Sequence, residues 1–330
     1  MIYDVHAHCI PAEFRDWLER QGAPLGAAVV ATEKGPAVRF AGRVTTGAFR
    51  EDLTDRELRL AELDRMGIDV QVLAGWIDLT GYELSGQAAV EYSNAHNEAL
   101  AAEAASAPDR YRALGTVPLQ DPDAAVAVLD RAVNEFGMRG VEIATTVDGI
   151  YPDRRPGLDA FWQAAQDLNA FVLLHPMRPL GGIDMDPYFM ENMVARPAES
   201  TIALAGLILS GVFERFPGLP LCIVHGGGFA PFQIGRLDKG YRQKPKLVGA
   251  HISKPPSEYL KSLYVDTVVH EPAALDYLIR FLGADRIMLG TDYPFEMGDQ
   301  DPVTFVKSIP GISEADVSAI TGGNAAALFG

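Results

Sequence analysis

The sequence predicts an α/β fold of the (β/α)8 TIM-barrel type, with a small β-rich insertion after the first strand. Eight short apolar runs alternate with amphipathic stretches, a pattern that implies parallel strands joined by crossover helices. The length of 330 residues suits eight such units in one domain, residues 1–330. An open doubly wound sheet would carry G-x-G-x-x-G after its first strand, and the chain has none there.

The first strand is the run Ile2, Tyr3, Val5 that ends in His6-Ala7-His8 and is broken by Cys9-Ile10-Pro11. Strands follow at 68–73, 111–117, 140–145, 170–175, 219–225, 263–267 and 286–292. Amphipathic helices are expected at 55–66, 87–107, 123–136, 157–169, 197–215, 272–283 and 301–309. Residues 10–52 break the rhythm: the segment is rich in Gly, Pro and Ala, with β-like pieces at 27–32 and 37–40 and turn signals at Gly35-Pro36 and Ala41-Gly42. It stands where the first βα loop belongs, so it is expected to pack as a flap over the barrel mouth. A second long connection, 177–195, follows the fifth strand.

Apolar residues make up 48% and charged residues 22%, the balance of a globular chain with a large core. A formal charge of −16 argues against nucleic acid or an anionic membrane as partner, while leaving a small acidic substrate open. Two cysteines, Cys9 and Cys222, form no disulfide framework. With no leader ahead of Met1-Ile2-Tyr3 and no apolar run long enough to span a bilayer, the expected compartment is the cytoplasm.

Polar residues gather at the expected strand ends. Strand one ends in His6 and His8, whose i, i+2 spacing puts both imidazoles on one face. Strand five ends in His175-Pro176, strand six in His225-Gly226 and strand eight in Gly290-Thr291-Asp292. One strand-end histidine is ordinarily structural. Four imidazoles and a carboxylate converging on one barrel face are costly to bury without a shared task. His6, His8, His175 and Asp292 make a three-nitrogen, one-oxygen set with a position left open, as catalytic metal sites have. That leaves His225 as acid or base, and the following Gly226-Gly227-Gly228 lets backbone approach a ligand. No lysine occurs between Lys34 and Lys239, so strand four has none to bridge two metals. Glu142 could bridge, but is expected outside the pore or in a supporting role. A single ion is the expectation. The chain also lacks the G-x-S-x-G elbow of an esterase.

His6-Ala7-His8, Gly115–Pro122, His175-Pro176, Gly211–Pro217, His225–Gly228 and Gly290–Phe295 together resemble the amidohydrolase-related metal-dependent decarboxylases, amidohydrolase family 2. Within them the chain is most similar to the aminocarboxymuconate semialdehyde decarboxylases, nearly end to end. The resemblance implies a barrel, a homodimer and one divalent metal ion, zinc first and manganese as the alternative. It implies His6, His8, His175 and Asp292 as ligands, His225 as the acid/base residue, and Arg50 as a clamp on a substrate carboxylate, with Phe295 also on the substrate side. The chain departs from the family at Met177-Arg178 and Lys244-Pro245. Arg178 and Arg236 are then the further candidates for holding substrate, and Arg236 or Lys244 for reaching a neighbouring subunit.

The expected activity is metal-dependent, non-oxidative decarboxylation of an unsaturated or (hetero)aromatic carboxylic acid. One rival keeps the barrel and changes the reaction to hydrolysis or hydration of a lactone, amide or alkene. The other, a non-enzymatic metal-binding protein, fits poorly with an open coordination position, since structural zinc sites are closed.

Overall fold

A computed structural model describes residues 1–177, 185 and 187–330. Arg178, a substrate-binding candidate, lies outside the described residues. In chain order the strands are β1 (Tyr3–Cys9), then β2 (Ala27–Thr32), β3 (Gly35–Phe40) and β4 (Val44–Thr45) of the insertion. The remaining strands are β5 (Val70–Gly75), β6 (Tyr111–Ala113), β7 (Gly140–Ala144), β8 (Phe171–His175), β9 (Leu221–Ile223), β10 (Tyr264–Asp266) and β11 (Ile287–Met288).

Strands β1, β5 and β6 form one parallel sheet and β7 to β11 another. Parallel bridges join them at both seams, Gly115 with Val141 and Ala7 with Tyr293. At the second seam the Val5 N–H donates to the Leu289 carbonyl at 3.0 Å, and the His8 N–H to that of Tyr293 at 2.8 Å. The eight parallel strands make the expected TIM barrel. Tyr3, Val5, Val72, Phe171, Leu173 and Met288, drawn from strands around the ring, share one apolar cluster with Phe329 of the last helix, Asn324–Phe329. A register irregularity in β1 between Asp4 and Ala7 lets Val5 join that cluster while His6, next in the chain, also faces inward. Bulges of this kind re-aim side chains beside active sites.

Several strands are shorter than the apolar runs suggested, because the chain leaves extended geometry where the polar residues begin. His225 has φ 56° and ψ 45°, and Asp292 φ 56°. Helices follow their caps. Asp55 accepts the Leu58 N–H to open Arg56–Met66, and Asp121 accepts that of Ala124 to open Pro122–Asn134. The single helix expected at 197–215 is two, Arg196–Leu209 and Val212–Arg215. Gly211 divides them at φ 79°, where a Cβ would stand 2.3 Å from the His251 carbonyl oxygen. The helix Ala230–Gln243, between β9 and β10, had no counterpart in the pattern reading.

The insertion holds more than β-structure. It opens with a helix, Ala12–Trp17, before β2, β3 and β4 form an antiparallel sheet. Ala27, Val38 and Phe40 are buried in the cluster that includes Trp76 and Tyr92. No described helix is long and apolar enough to cross a membrane.

Candidate metal centre and active site

Side chains from six barrel strands or the residues just beyond them converge. β1 supplies His6 and His8, β7 Glu142, β8 His175 and β10 Asp266; His225 and Asp292 follow β9 and β11. Contacting pairs among the four imidazoles have centroids 4.9 to 5.4 Å apart. His6 Nε2 and His8 Nε2 lie 3.3 Å from each other, and 3.4 and 3.3 Å from Asp292 Oδ1. Donors held 2.0–2.1 Å from a tetrahedral ion stand about 3.3 Å from one another. The spacing therefore fits a metal better than a direct hydrogen-bond network.

The outward nitrogens are occupied. His6 Nδ1 donates to Asp266 Oδ2 at 2.7 Å, and Asp266 Oδ1 accepts the Gly226 N–H at 2.8 Å. Burial opposes ionisation of Asp266, but the His6 contact prevails and holds its carboxyl below the usual range. His175 Nδ1 donates to its neighbour's carbonyl, Pro176 O, at 2.7 Å. Its Nε2 is left buried with no hydrogen-bond partner. Burial, reinforced by neighbouring imidazoles, keeps the His175 pKa well below the ordinary value, so the ring is neutral and able to donate a lone pair. This orphaned nitrogen beside three donors already at coordination spacing is what a divalent ion would satisfy. His6, His175, His225 and Asp292 each offer a donor within 4.8 Å of the others, as do His8, Glu142 and His175.

Asp292 divides its oxygens. Oδ1 faces His6 and His8, while Oδ2 lies 3.5 Å from His225 Nε2. Although burial disfavours its charge, the imidazoles around it hold the carboxyl well below its usual range. Behind it, Asp4 accepts the Thr291 hydroxyl at 2.6 Å and the Gln71 amide at 2.8 Å, tying β1 and β5 to the chain just before Asp292. His225 and Asp292 both have left-handed backbone, a conformation costing about 1–2 kcal/mol per residue that persists where surrounding structure enforces it.

Of the two places expected for Glu142, outside the pore or supporting the site, it takes the position beside the cluster. It is buried, its Oε1 lies 3.7 Å from His8 Nδ1 without a hydrogen bond, and burial pushes its carboxyl up to about 7. The glycine run after His225 is also closely packed: a Cβ on Gly226 would be 2.3 Å from Val269 Cγ1, and one on Gly228, which lines a cavity with His225, 2.3 Å from the Pro197 carbonyl oxygen.

The cluster opens into a cavity of about 130 Å³ lined by Trp76, Asp78, His175, Asn192, Arg196, His225, Asp292 and Phe295, with Ile77. A cavity of roughly 150 Å³ accommodates benzene, so this space is the size of one six-membered ring. Phe295 lines this cavity, its ring 5.4 Å from that of His8 and 6.2 Å from Trp76. A second cavity of about 230 Å³, lined by Phe229, Phe232, Val269 and Met297, shares His225 and Asn192 with the first.

Arg50 is placed differently. Its Nε and Nη2 close on Asp52 at 3.0 and 2.6 Å, Nη1 meets Glu296 at 3.0 Å, and Nη2 also donates to the Pro294 carbonyl. It packs 5.7 Å from the Phe295 ring and does not line the metal-side cavity. Its fork meets the Asp52 carboxylate, and it lines a separate cavity of about 310 Å³ with Tyr293, Pro294 and Phe295. Arg236 and Lys244 are exposed and outside the cavity. Sequence reasoning passed over Asp266, although an acid ending the apolar strand Tyr264-Val265-Asp266 was a readable signal. It also passed over Arg196, which opens a helix and has no strand-end position to mark it.

A barrel with this cluster on its carboxyl-end face defines a metal-dependent enzyme scaffold. The chain matches the family model described as Amidohydrolase over residues 3–330 and belongs to that family. It is 32% identical to the 2-amino-3-carboxymuconate-6-semialdehyde decarboxylase of Dictyostelium discoideum, across 99% of this chain and 91% of that one. It is 30% identical to the gamma-resorcylate decarboxylase of Rhodococcus jostii, across 86% and 91% of the two chains. The crystal structure of 5-carboxyvanillate decarboxylase from Sphingomonas paucimobilis superposes with TM-score 0.83 at 26% identity, covering 99% of this chain and 98% of that one.

Proposed function

We propose that this site carries out non-oxidative decarboxylation of a planar aromatic or unsaturated carboxylic acid. The chain is a carboxy-lyase of the amidohydrolase superfamily, and its clustered imidazole and carboxylate donors suit a divalent metal ion. The observation that carries the reading is the divided Asp292 carboxylate, one oxygen at coordination spacing from His6 and His8 and the other beside His225. His6, His8, His175 and Asp292 would hold the ion, and three nitrogens with one oxygen favour zinc over manganese. When bound, the cation supplies positive charge against the negative charge that develops on the substrate.

The protein's own groups do the rest. Phe295 and Trp76 flank a planar substrate in a cavity of one-ring size. As the carbon–carboxylate bond breaks, carbon dioxide leaves and its electron pair stays on the substrate carbon. His225 delivers the proton that this carbon takes up, oriented by Asp292 Oδ2. The enzyme works as a homodimer in the cytoplasm. Exposed Phe232, stacked on exposed Tyr277 at 5.1 Å and on the same helix as Arg236, supports the first statement. Two buried free cysteines support the second. The insertion, with Phe40 packed in the cluster of Trp76, belongs to the same functional unit.

The test is carbon dioxide release by metal-loaded enzyme from a panel of hydroxylated aromatic acids, run in D₂O. One deuterium at the vacated carbon is expected. Water addition or ester cleavage without carbon dioxide would replace this reading with the hydratase or hydrolase one.

A further inference from the structure

We propose that Arg196 is the substrate-selecting cation of this site and receives the acidic group that the substrate keeps after decarboxylation. The inference rests on the decarboxylase reading and assigns a cation inside the metal-side cavity, which Arg50 does not line. Among the described residues lining the metal-side cavity, Arg196 is the one arginine or lysine. Its Nη1 donates to the Pro176 carbonyl at 3.0 Å, the same oxygen that accepts from His175 Nδ1 at 2.7 Å. One carbonyl thus fixes both the guanidinium and an imidazole of the metal cluster, so the distance between cation and reacting centre is set by the fold. The acid beside it holds it loosely: Glu191, substantially exposed, stands 3.7 Å from Nη2. By contrast, Arg50 is closed on Asp52 at 2.6 and 3.0 Å.

Charge bookkeeping says which group Arg196 can serve. The departing carboxylate loses its charge as it becomes carbon dioxide, so a cation gripping it would stabilise the ground state more than the transition state and slow the reaction. A cation gripping a retained anionic substituent holds the ring equally well before and after, and orients the departing group. In a cavity of one-ring size, with His225 and Asp292 on the metal side, Arg196 therefore selects planar acids bearing a second anionic oxygen group.

The experiment is calorimetric binding of benzoate and of benzene-1,3-dicarboxylate to metal-loaded wild type, Arg196→Met, Arg196→Lys and Arg50→Met, with metal content measured for each. A charge-assisted contact predicts that wild type binds the dicarboxylate about ten- to a hundred-fold more tightly than benzoate. Arg196→Met should erase that preference with metal content and benzoate affinity unchanged, Arg196→Lys should keep part of it, and Arg50→Met all of it. The proposal is overturned by a wild type without the preference, by Arg196→Met retaining it, or by equal loss of both ligands together with the metal, which would mark a purely structural arginine. Failure of the decarboxylase reading shows separately, as Arg196-dependent binding with no carbon dioxide released from any acid of the panel.

Discussion

Asp266 never touches the expected ion, yet it determines which nitrogen of His6 faces it. Replacing such a carboxylate ordinarily costs 10–100-fold in metal affinity, so Asp266→Asn should lose metal to a competing chelator by about that factor while its circular dichroism stays native. His225, joined to the other side of Asp292, predicts the opposite pattern. His225→Asn should keep its metal and lose turnover by roughly 10²–10⁴, the usual worth of general acid–base catalysis. Metal loss in that variant would move His225 into the ligand set and leave His8 with Glu142. His96 offers a pH test away from the cluster. Burial lowers its pKa to about 3, below the 6.5 of an exposed histidine. Between these values the unfolded chain binds the extra proton, so this group lowers stability as pH falls below 6.5 and leaves it unaffected above. The melting temperature of His96→Leu should fall less steeply than that of wild type between pH 6.5 and pH 4; parallel curves would count against a neutral buried imidazole.

At the scale of elements, β5 and the helix Gly86–Ser106 meet where the site is supported from behind. The Gly75 carbonyl lies 3.3 Å from His8 Nδ1, and a Cβ on Gly75 would stand 2.5 Å from His96 Cε1. The His96 ring has little room to retreat, since it stacks on Phe14 with centroids 3.9 Å apart. Overpacking of this kind costs typically 1–3 kcal/mol. Gly75→Ala should be destabilised by about that amount in urea, and His96→Ala in the same chain should restore part of it. If the two substitutions add without interaction, the contact between strand and helix is not what excludes a side chain at 75.

For the whole molecule, metal and fold should be coupled, because donors scattered from His6 to Asp292 form a site only when the barrel closes. Binding to the native state alone at a hundred times the dissociation constant adds about 2.7 kcal/mol. Chelation should therefore lower the melting temperature by several degrees, with recovery on adding back one equivalent of zinc. A melting curve indifferent to chelator would mean that the cluster holds no ion in the folded protein. Light scattering tests the assembly, with twice the chain mass expected.

What the sequence determined was local. Alternating apolar runs specified parallel strands and their order, because period and length are written residue by residue. Strand ends marked His6, His8, His175, His225 and Asp292, because a barrel sends every such end to one face. Only the tertiary structure decided the partners of these residues. Asp266 under His6, Glu142 beside His8 and Arg196 on the Pro176 carbonyl that His175 also meets are contacts between groups separated in the chain, with no periodicity to announce them. Arg50 keeps the place in the sequence that suited a carboxylate clamp, and the fold adds Glu296, far along the chain, to its near neighbour Asp52. The pair with Glu296 exists only because the fold brings that charge within reach, and that is a property of the closed barrel, not of the run of residues.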